Sequence, residues 1–239
     1  MLSWRGRTPY STQYQDVYFS RSGGLAETQH VFLEGNGLPE RWLDRQSFTI
    51  AETGLGTGTN LWATLHAWQA HPPAGSASLS FLSVEQDPLS REEMLEALTL
   101  IPELLPTAQP WLEDYPERPV QGERWEHIRG AVRVAVDFRE ASEALRAWEQ
   151  EQVDAWMLDG FSPAKNPQMW TPELMREVFR LTLPGGTLST YTVAGTVRRA
   201  LQTAGFQLRK APGFGQKREM LMGHKPSLPV ESVTLPDIP

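Results

Sequence analysis

Phe48-Thr49-Ile50-Ala51-Glu52-Thr53-Gly54-Leu55-Gly56-Thr57-Gly58-Thr59-Asn60, followed by Leu61-Trp62-Ala63-Thr64-Leu65-His66-Ala67-Trp68, decides how the chain folds. The apolar run reads as a buried strand, the glycine-rich segment as a turn, and the rest as a helix. Glycines let the main chain turn tightly and approach a ligand closely. The helix start behind them offers free N–H groups and the positive end of a dipole. Strand, glycine turn and helix together hold a nucleotide-like ligand at the carboxyl edge of a sheet. The spacing departs from the dinucleotide fingerprint G-x-G-x-x-G, because the glycines are Gly54, Gly56 and Gly58 and the third dinucleotide position is Thr59. Glu52, at the strand end, adds a carboxylate suited to a ligand that carries positive charge.

Working outward, Leu79-Ser80-Phe81-Leu82-Ser83-Val84 is the second strand of a βαβ unit. Glu85 at its tip stands where a carboxylate accepts ribose hydroxyls in nucleotide-binding sheets. Pro88 to Pro119 reads as one helix, Leu89 to Leu100, followed by an irregular proline-broken insertion. Ala131 to Val136 is the third strand, with Asp137 and Phe138 at its tip. Asp137 is placed either to accept from an adenine amine, with Phe138 on the ring, or to cap the helix Arg139 to Glu149; both can hold at once. Val153 to Leu158 is the fourth strand. Asp159-Gly160-Phe161-Ser162-Pro163-Ala164-Lys165-Asn166-Pro167-Gln168-Met169-Trp170 follows it, at the edge where open α/β sheets bind ligands. This loop combines a carboxylate, a lysine, an amide and aromatics, more than a connection requires. Pro172 to Leu181 is a helix ended by Leu183-Pro184-Gly185-Gly186, Thr187 to Tyr191 a fifth strand, and Val197 to Ala204 a short helix. Phe206 to Lys210 and Arg218 to Gly223 form a terminal strand pair around the basic turn Gly213 to Lys217.

The chain has 239 residues, enough for one large domain with a sizeable core. An N-terminal extension (1–45) that packs on the sheet, a main domain (46–225) and a C-terminal tail (226–239) are expected. No apolar run is long enough to span a bilayer, the N-terminus lacks a signal-peptide pattern, and cysteine is absent, so a cytoplasmic location is the default and no membrane partner is expected. Five scattered histidines show no metal-ligand spacing, and no metal is expected. The net charge of −7 excludes a globally basic nucleic-acid binder. Between Gly195 and Lys225, however, seven basic residues stand against Glu219 alone. That stretch is either a solvated surface or a phosphate-contacting face on an acidic body.

Three segments together resemble the bacterial tRNA 5-aminomethyl-2-thiouridine methyltransferases: Glu52 to Asn60, Leu158 to Trp170, and Gly213-Phe214-Gly215-Gln216-Lys217-Arg218-Glu219-Met220-Leu221. Asp16-Val17-Tyr18-Phe19 and Val31 to Arg41 match that family's N-terminal segment. The first segment also looks like the opening motif of S-adenosylmethionine-dependent methyltransferases generally. The resemblance implies a Rossmann-like class I methyltransferase fold: a seven-stranded, mostly parallel sheet with one antiparallel strand and an N-terminal extension. It implies S-adenosylmethionine as donor and a primary amine on a tRNA wobble uridine as acceptor. Carried over, Glu52, Gly54, Gly56, Gly58, Asn60 and Glu85 bind the cofactor, with Asp137 and Phe138 at the adenine. Asp159 is the catalytic residue, two strand tips from the glycine bend. Phe161, Pro163, Lys165, Asn166, Trp170, Lys217 and Arg218 form the substrate site. Phe161 and Trp170 either frame the uracil or belong to the core, and Lys165 either contacts a phosphate or is solvated. The flavin-dependent oxidase half of the family's bifunctional enzyme is not seen, so a stand-alone methyltransferase is expected, coupled functionally to a separate oxidase and to the enzyme that makes the aminomethyl intermediate.

A protonated amine has no lone pair, so such a site has to favour the neutral amine and then take its proton. Asp159 is placed to orient the amine and to accept or relay that proton. The competing readings are an S-adenosylmethionine-dependent enzyme acting on a small-molecule or protein amine, a nucleotide-binding oxidoreductase, and a non-catalytic module.

Overall fold

The computed structural model describes residues 2–6, 8–19 and 23–227; most of the expected C-terminal tail, 228–239, lies outside the described residues. The chain opens with β1 (Leu2–Arg5), β2 (Thr8–Ser11) and β3 (Asp16–Val17), a small antiparallel sheet. Helix α1 (Gly24–Glu27) runs directly into a π-helical segment, Thr28–Leu33. The main domain follows in the order β4 (Ser47–Thr53), α2 (Thr59–Ala70), β5 (Ser78–Val84), α3 (Arg91–Leu98), α4 (Leu105–Asp114), β6 (Arg124–Arg129) and β7 (Val132–Asp137). It continues with α5 (Ala141–Ala147), β8 (Val153–Leu158), α6 (Pro172–Leu181), β9 (Thr182–Thr190), α7 (Gly195–Ala204), β10 (Gln207–Pro212) and β11 (Glu219–His224).

The main sheet has the order β10-β11-β9-β8-β4-β5-β7-β6. Strand β4 pairs in parallel with both β5 and β8. The chain therefore builds outward from β4 in one direction through β5 and β7, then returns to build the other half from β8. That reversal point is where open α/β sheets form a ligand crevice. Alternate residues along each strand face opposite layers. Phe48, Ile50, Ala155 and Met157 enter one apolar cluster with the π-helical segment and α2 to α4. Ala51, Trp156 and Leu158 enter a second cluster under α5 to α7.

Four expectations change. Seven strands of the main sheet answer to the expected set, with β11 antiparallel to both its neighbours, but an eighth, β6, is added at the edge. Its residues are largely exposed and charged, so no apolar alternation marks it; a two-residue turn, in which Gly130 takes φ +57°, folds it back on β7. The proline-broken insertion contains helix α4: Pro106 sits in its first turn, where an N–H has no helical partner anyway, and only Pro110 lies inside. The cap of α5 is Glu140, whose side chain accepts from the Glu143 N–H, and not Asp137. Strand β9 starts at Thr182, and the segment expected to break after α6 is absorbed as an irregularity in its pairing with β8.

Candidate active site

Thr53 at the end of β4 is in register with Leu158 at the end of β8. The next residues are Gly54 and Asp159, so the glycine turn and the aspartate loop grow from adjacent strand tips. The expected two-tip separation is corrected to direct neighbours. The Thr53 hydroxyl donates to the Asp159 main-chain carbonyl at 2.8 Å, fastening one tip to the other. Gly54, Gly56 and Gly58 take φ of +81°, +51° and +74°, the left-handed region that side chains disfavour. A Cβ on Gly54 would stand 3.2 Å from the Gly160 Cα, so the close approach of the two loops also requires glycine there.

Between them lies a cleft of about 640 Å³, walled by the glycine turn, Asp159 to Ser162, Tyr191, and the turn bearing Gln216 and Lys217. The N-terminal extension closes it with Asp16 to Phe19, Glu27, Thr28 and Phe32. A smaller cleft of about 50 Å³ adjoins, lined by Tyr14, Glu85, Arg139, Asn166 and others; Tyr18, Gly54, Gly56 and Phe161 line both. Tyr14 stacks on Phe161 with centroids 4.5 Å apart and Tyr18 meets its edge at 5.2 Å. The Tyr14 hydroxyl donates to Asp87 at 2.6 Å, which pins the tip of the β2–β3 hairpin beside Glu85.

Asp159 is held by neutral donors. Its Oδ1 accepts from the Gly160 N–H at 2.8 Å and its Oδ2 from the Asn60 amide at 2.9 Å. Burial pushes its carboxyl from the ordinary 3.8 up to about 7, against the pull of those hydrogen bonds; the Glu27 charge adds to the rise and Lys217 opposes it. Lys217 reaches Glu27 at 3.4 Å and lies over the Tyr191 ring, 3.7 Å from its centroid. The Tyr191 hydroxyl donates to the Gly160 carbonyl at 2.8 Å. Asp16 Oδ2 accepts from the Ser162 N–H at 3.2 Å, fixing the aspartate loop from the side of the extension.

The sequence-selected residues separate into three groups. Gly54, Gly56, Asn60, Asp159, Phe161 and Lys217 line the main cleft, and Glu85 and Asn166 line its smaller neighbour. Glu52 and Gly58 stand behind these walls: Glu52 is fully buried and Gly58 is the residue that leads into α2. The rest lie elsewhere. Asp137 is buried in a two-pronged pair with Arg139, at 2.6 and 2.5 Å, and Phe138 packs edge-on to Tyr115 in the core, so neither reaches either cleft. Trp170 is buried; its indole donates to the Phe161 carbonyl at 3.0 Å and its ring meets the edge of Tyr191, so it braces the loop from beneath. Pro163, Lys165 and Arg218 line neither cleft, and Lys165 and Arg218 are exposed. The sequence reading missed Tyr14, Tyr18, Glu27, Thr28 and Tyr191 as site residues. Of these, only Tyr18 falls in a family-like segment, Asp16 to Phe19.

The residues present fit a cofactor of the expected kind. Gly54 and Gly56 present bare main chain to the cleft, where a Cβ on Gly56 would stand 3.1 Å from the Tyr18 ring, and Gly58 fits the turn against Trp62 behind them. Glu52 Oε1 accepts from Ser83 at 2.9 Å, while Oε2 is buried just behind the glycine turn beside Asn60; burial pushes this carboxyl well above the ordinary carboxylate range, so it can offer a hydrogen bond as well as accept one. Glu85 accepts from the N–H groups of Gly56 and Asp87, both at 2.9 Å, and a carboxylate has lone pairs left for ribose hydroxyls. Among the described residues, no group of three or more histidines and acids is placed to hold a metal, and no helix is long and apolar enough to cross a membrane.

Residues 102–226, just over half of the chain, match the family model for S-adenosyl-L-methionine-dependent methyltransferases. The protein belongs to that family, with S-adenosyl-L-methionine as its cofactor, and the oxidoreductase and non-catalytic readings fall. The chain is 46% identical over 229 residues to the tRNA 5-methylaminomethyl-2-thiouridine biosynthesis bifunctional protein MnmC of Chromohalobacter salexigens, covering 93% of this chain and 32% of that protein. It is 44% identical to the protein of the same name from Nitrosospira multiformis, covering 96% of this chain and 37% of the other. The chain thus spans about a third of the length of these curated relatives. A crystal structure of MNMC2 from Aquifex aeolicus superposes with a TM-score of 0.73 at 24% identity, over 94% of this chain and 69% of that one. Spermidine synthase from Thermotoga maritima follows the same fold with a TM-score of 0.54 at 14% identity, over 90% of this chain and 64% of that one.

Proposed function

We propose that this protein methylates the primary amine of 5-aminomethyl-2-thiouridine at the tRNA wobble position, giving 5-methylaminomethyl-2-thiouridine. The observation that carries the reading is the placement of Asp159: its carboxylate lines the cleft opened by the glycine turn, one residue beyond the β4–β8 register pair. The names of the relatives supply the acceptor, and they favour tRNA over a small-molecule or protein amine.

Glu52, Gly54, Gly56, Gly58, Asn60 and Glu85 hold the cofactor, which when bound supplies an electrophilic methyl group on a sulfonium sulfur. Asp159 orients the acceptor amine and takes a proton from its nitrogen. A carboxyl that titrates near pH 7 suits this proton transfer, because it is ionised in a useful fraction at neutral pH and returns the proton to water readily. Holding amine and donor in one cleft contributes most of the rate through alignment. Phe161, already an aromatic platform for Tyr14, is the surface on which a uracil ring stacks. Lys217, Arg218 and the exposed Arg198 and Arg199 of α7 supply the cationic approach for the phosphate backbone. The acceptor amine has to be installed by a separate enzyme, to which this step is coupled, as it is to an oxidase acting on the same nucleoside, and the cytoplasm, where tRNA is modified, is the place of action.

The test is incubation with labelled S-adenosyl-L-methionine and tRNA carrying the aminomethyl nucleoside, followed by nucleoside mass analysis. A mass gain of one methyl on that nucleoside supports the reading. Methylation of free amines with none on tRNA rejects it.

A further inference from the structure

Thr28 stands at the first position of the π-helical segment, in the N-terminal extension, and is buried against the cleft wall. Its hydroxyl donates to Asn60 Oδ1 at 2.8 Å, and the Asn60 amide nitrogen donates to Asp159 Oδ2 at 2.9 Å. A side-chain amide has one acceptor end and one donor end, so whatever fixes one end fixes the other. We infer that Thr28 is a positioning residue that acts through Asn60 to keep an N–H donor aimed at the Asp159 carboxylate. The inference rests on the reading of Asp159 as the group that handles the amine, and it adds the extension to the machinery of that step.

Three features give the chain of hydrogen bonds its direction. Asn60 is 5% exposed, so water does not readily replace a lost partner. The far end of Asn60 meets an acid that, when ionised, only accepts, so the amide has to present nitrogen there and oxygen to Thr28. The widened helical turn that begins at Thr28 also presents the preceding Glu27 to the same cleft; π-type turns recur where side chains are re-aimed at functional sites. The charged and titratable groups around Asp159 are Glu52 from β4, Glu27 from α1, Asp16 from β3, Tyr191 from the end of β9, and Lys217 from the β10–β11 turn. Asn60 also neighbours Glu52, but the chain Thr28–Asn60–Asp159 passes through no charged group before Asp159, so a threonine substitution alters the hold on Asp159 without altering any charge.

The Asp159 carboxyl is titrated directly by NMR on the full chain labelled with 13C at aspartate side-chain carboxyls, its resonance assigned by its loss in Asp159→Asn. Thr28→Val keeps the volume and removes the hydroxyl; Thr28→Ser keeps the hydroxyl. Loss of a hydrogen bond to the ionised form raises the pKa, so Thr28→Val is expected to titrate about half a unit to one unit higher than the parent, and Thr28→Ser to return to the parent value. Thr28→Ala, checked with Thr28→Val by thermal melting, gives the same rise if valine disturbs the fold. A carboxyl in Thr28→Val and Thr28→Ala within about 0.2 unit of the parent, or a serine variant as displaced as the valine one, overturns the inference. Because this readout needs neither tRNA nor turnover, it separates from the functional reading: full turnover in Asp159→Asn would defeat that reading while leaving the titration result to stand.

Discussion

Asp137 ends β7 and Asp159 follows β8, so two aspartates occupy nearly the same place at the carboxyl edge of one parallel sheet. Their surroundings differ in one respect: the sign and kind of the donors. Asp137 is clamped by Arg139, neighboured by Arg124 at 3.9 Å, and approached by the Trp148 indole at 3.4 Å. Its charge serves to hold the β6–β7 edge to α5. Among the described residues, Asp159 meets an amide, a main-chain N–H and a lysine shared with Glu27 and Tyr191. Asp137, neutralised, serves the structure; Asp159, half-buried at the cleft without full neutralisation, is the one we propose for the chemistry.

The contrast breaks first at Asp159. Asp159→Asn is expected to lower methyl transfer about 10²- to 10⁴-fold, the range for losing a positioned acid or base, while calorimetry still registers cofactor binding. Transfer within about threefold of the parent would place the chemistry elsewhere. Asp137→Asn is expected to do the reverse: urea unfolding loses about 2 kcal/mol, below the figure for a fully buried pair because Arg139 reaches solvent, while turnover per folded molecule holds. Gly58→Ala sharpens the role of the turn behind Asp159. Its φ of +74° and a Cβ 2.6 Å from the Trp62 indole nitrogen predict a loss of about 1–2 kcal/mol in unfolding from backbone strain alone, with weakened cofactor affinity.

The pH dependence follows from the raised carboxyl of Asp159. Transfer is expected to rise with pH through about 7 as the carboxylate forms, and Asp159→Asn is expected to lose that inflection while keeping the first-order rise with pH due to deprotonation of the acceptor amine. The stability sign is opposite. The folded state holds this proton more tightly than the unfolded state, so from about pH 4 to about pH 7 the contribution of Asp159 to stability falls as pH rises. Parent and Asp159→Asn melting curves compared across that window check the sign. The smallest effect belongs to the exposed arginines: Arg198→Ala and Arg199→Ala are each expected to weaken tRNA binding about uniformly across sequences and to reduce the salt slope by about one at most.

The sequence carried the glycine turn, the aspartate loop and nearly all of the parallel strands, because each is a local pattern: an apolar run, then turn residues, then a helical period. It missed β6 because an exposed edge strand of charged residues leaves no apolar alternation. It passed over α4 because prolines normally break helices, and the first helical turn is the exception. Asp137 and Asp159 looked alike as carboxylates at strand tips. Arg139, two residues on, was visible, but whether it folds back on Asp137 is a matter of rotamer and packing. Trp170 had the same ambiguity, and its indole turned out to be a brace under the Phe161 carbonyl.

What the sequence determined alone is the family-bearing chemistry: a flexible cradle at Gly54 to Gly58, a carboxylate before it, and another at the head of a polar loop. What the tertiary structure decided is which of these meet. Register between β4 and β8 sets Gly54 beside Asp159, and a hairpin and a π-helical turn from well upstream complete the wall with Tyr14, Tyr18, Glu27 and Thr28. The reason is physical: local residue preferences fix turns and periods over a few positions, whereas the desolvation and partners that set a carboxyl's proton affinity come from segments far apart in sequence, and only the packed fold brings those together.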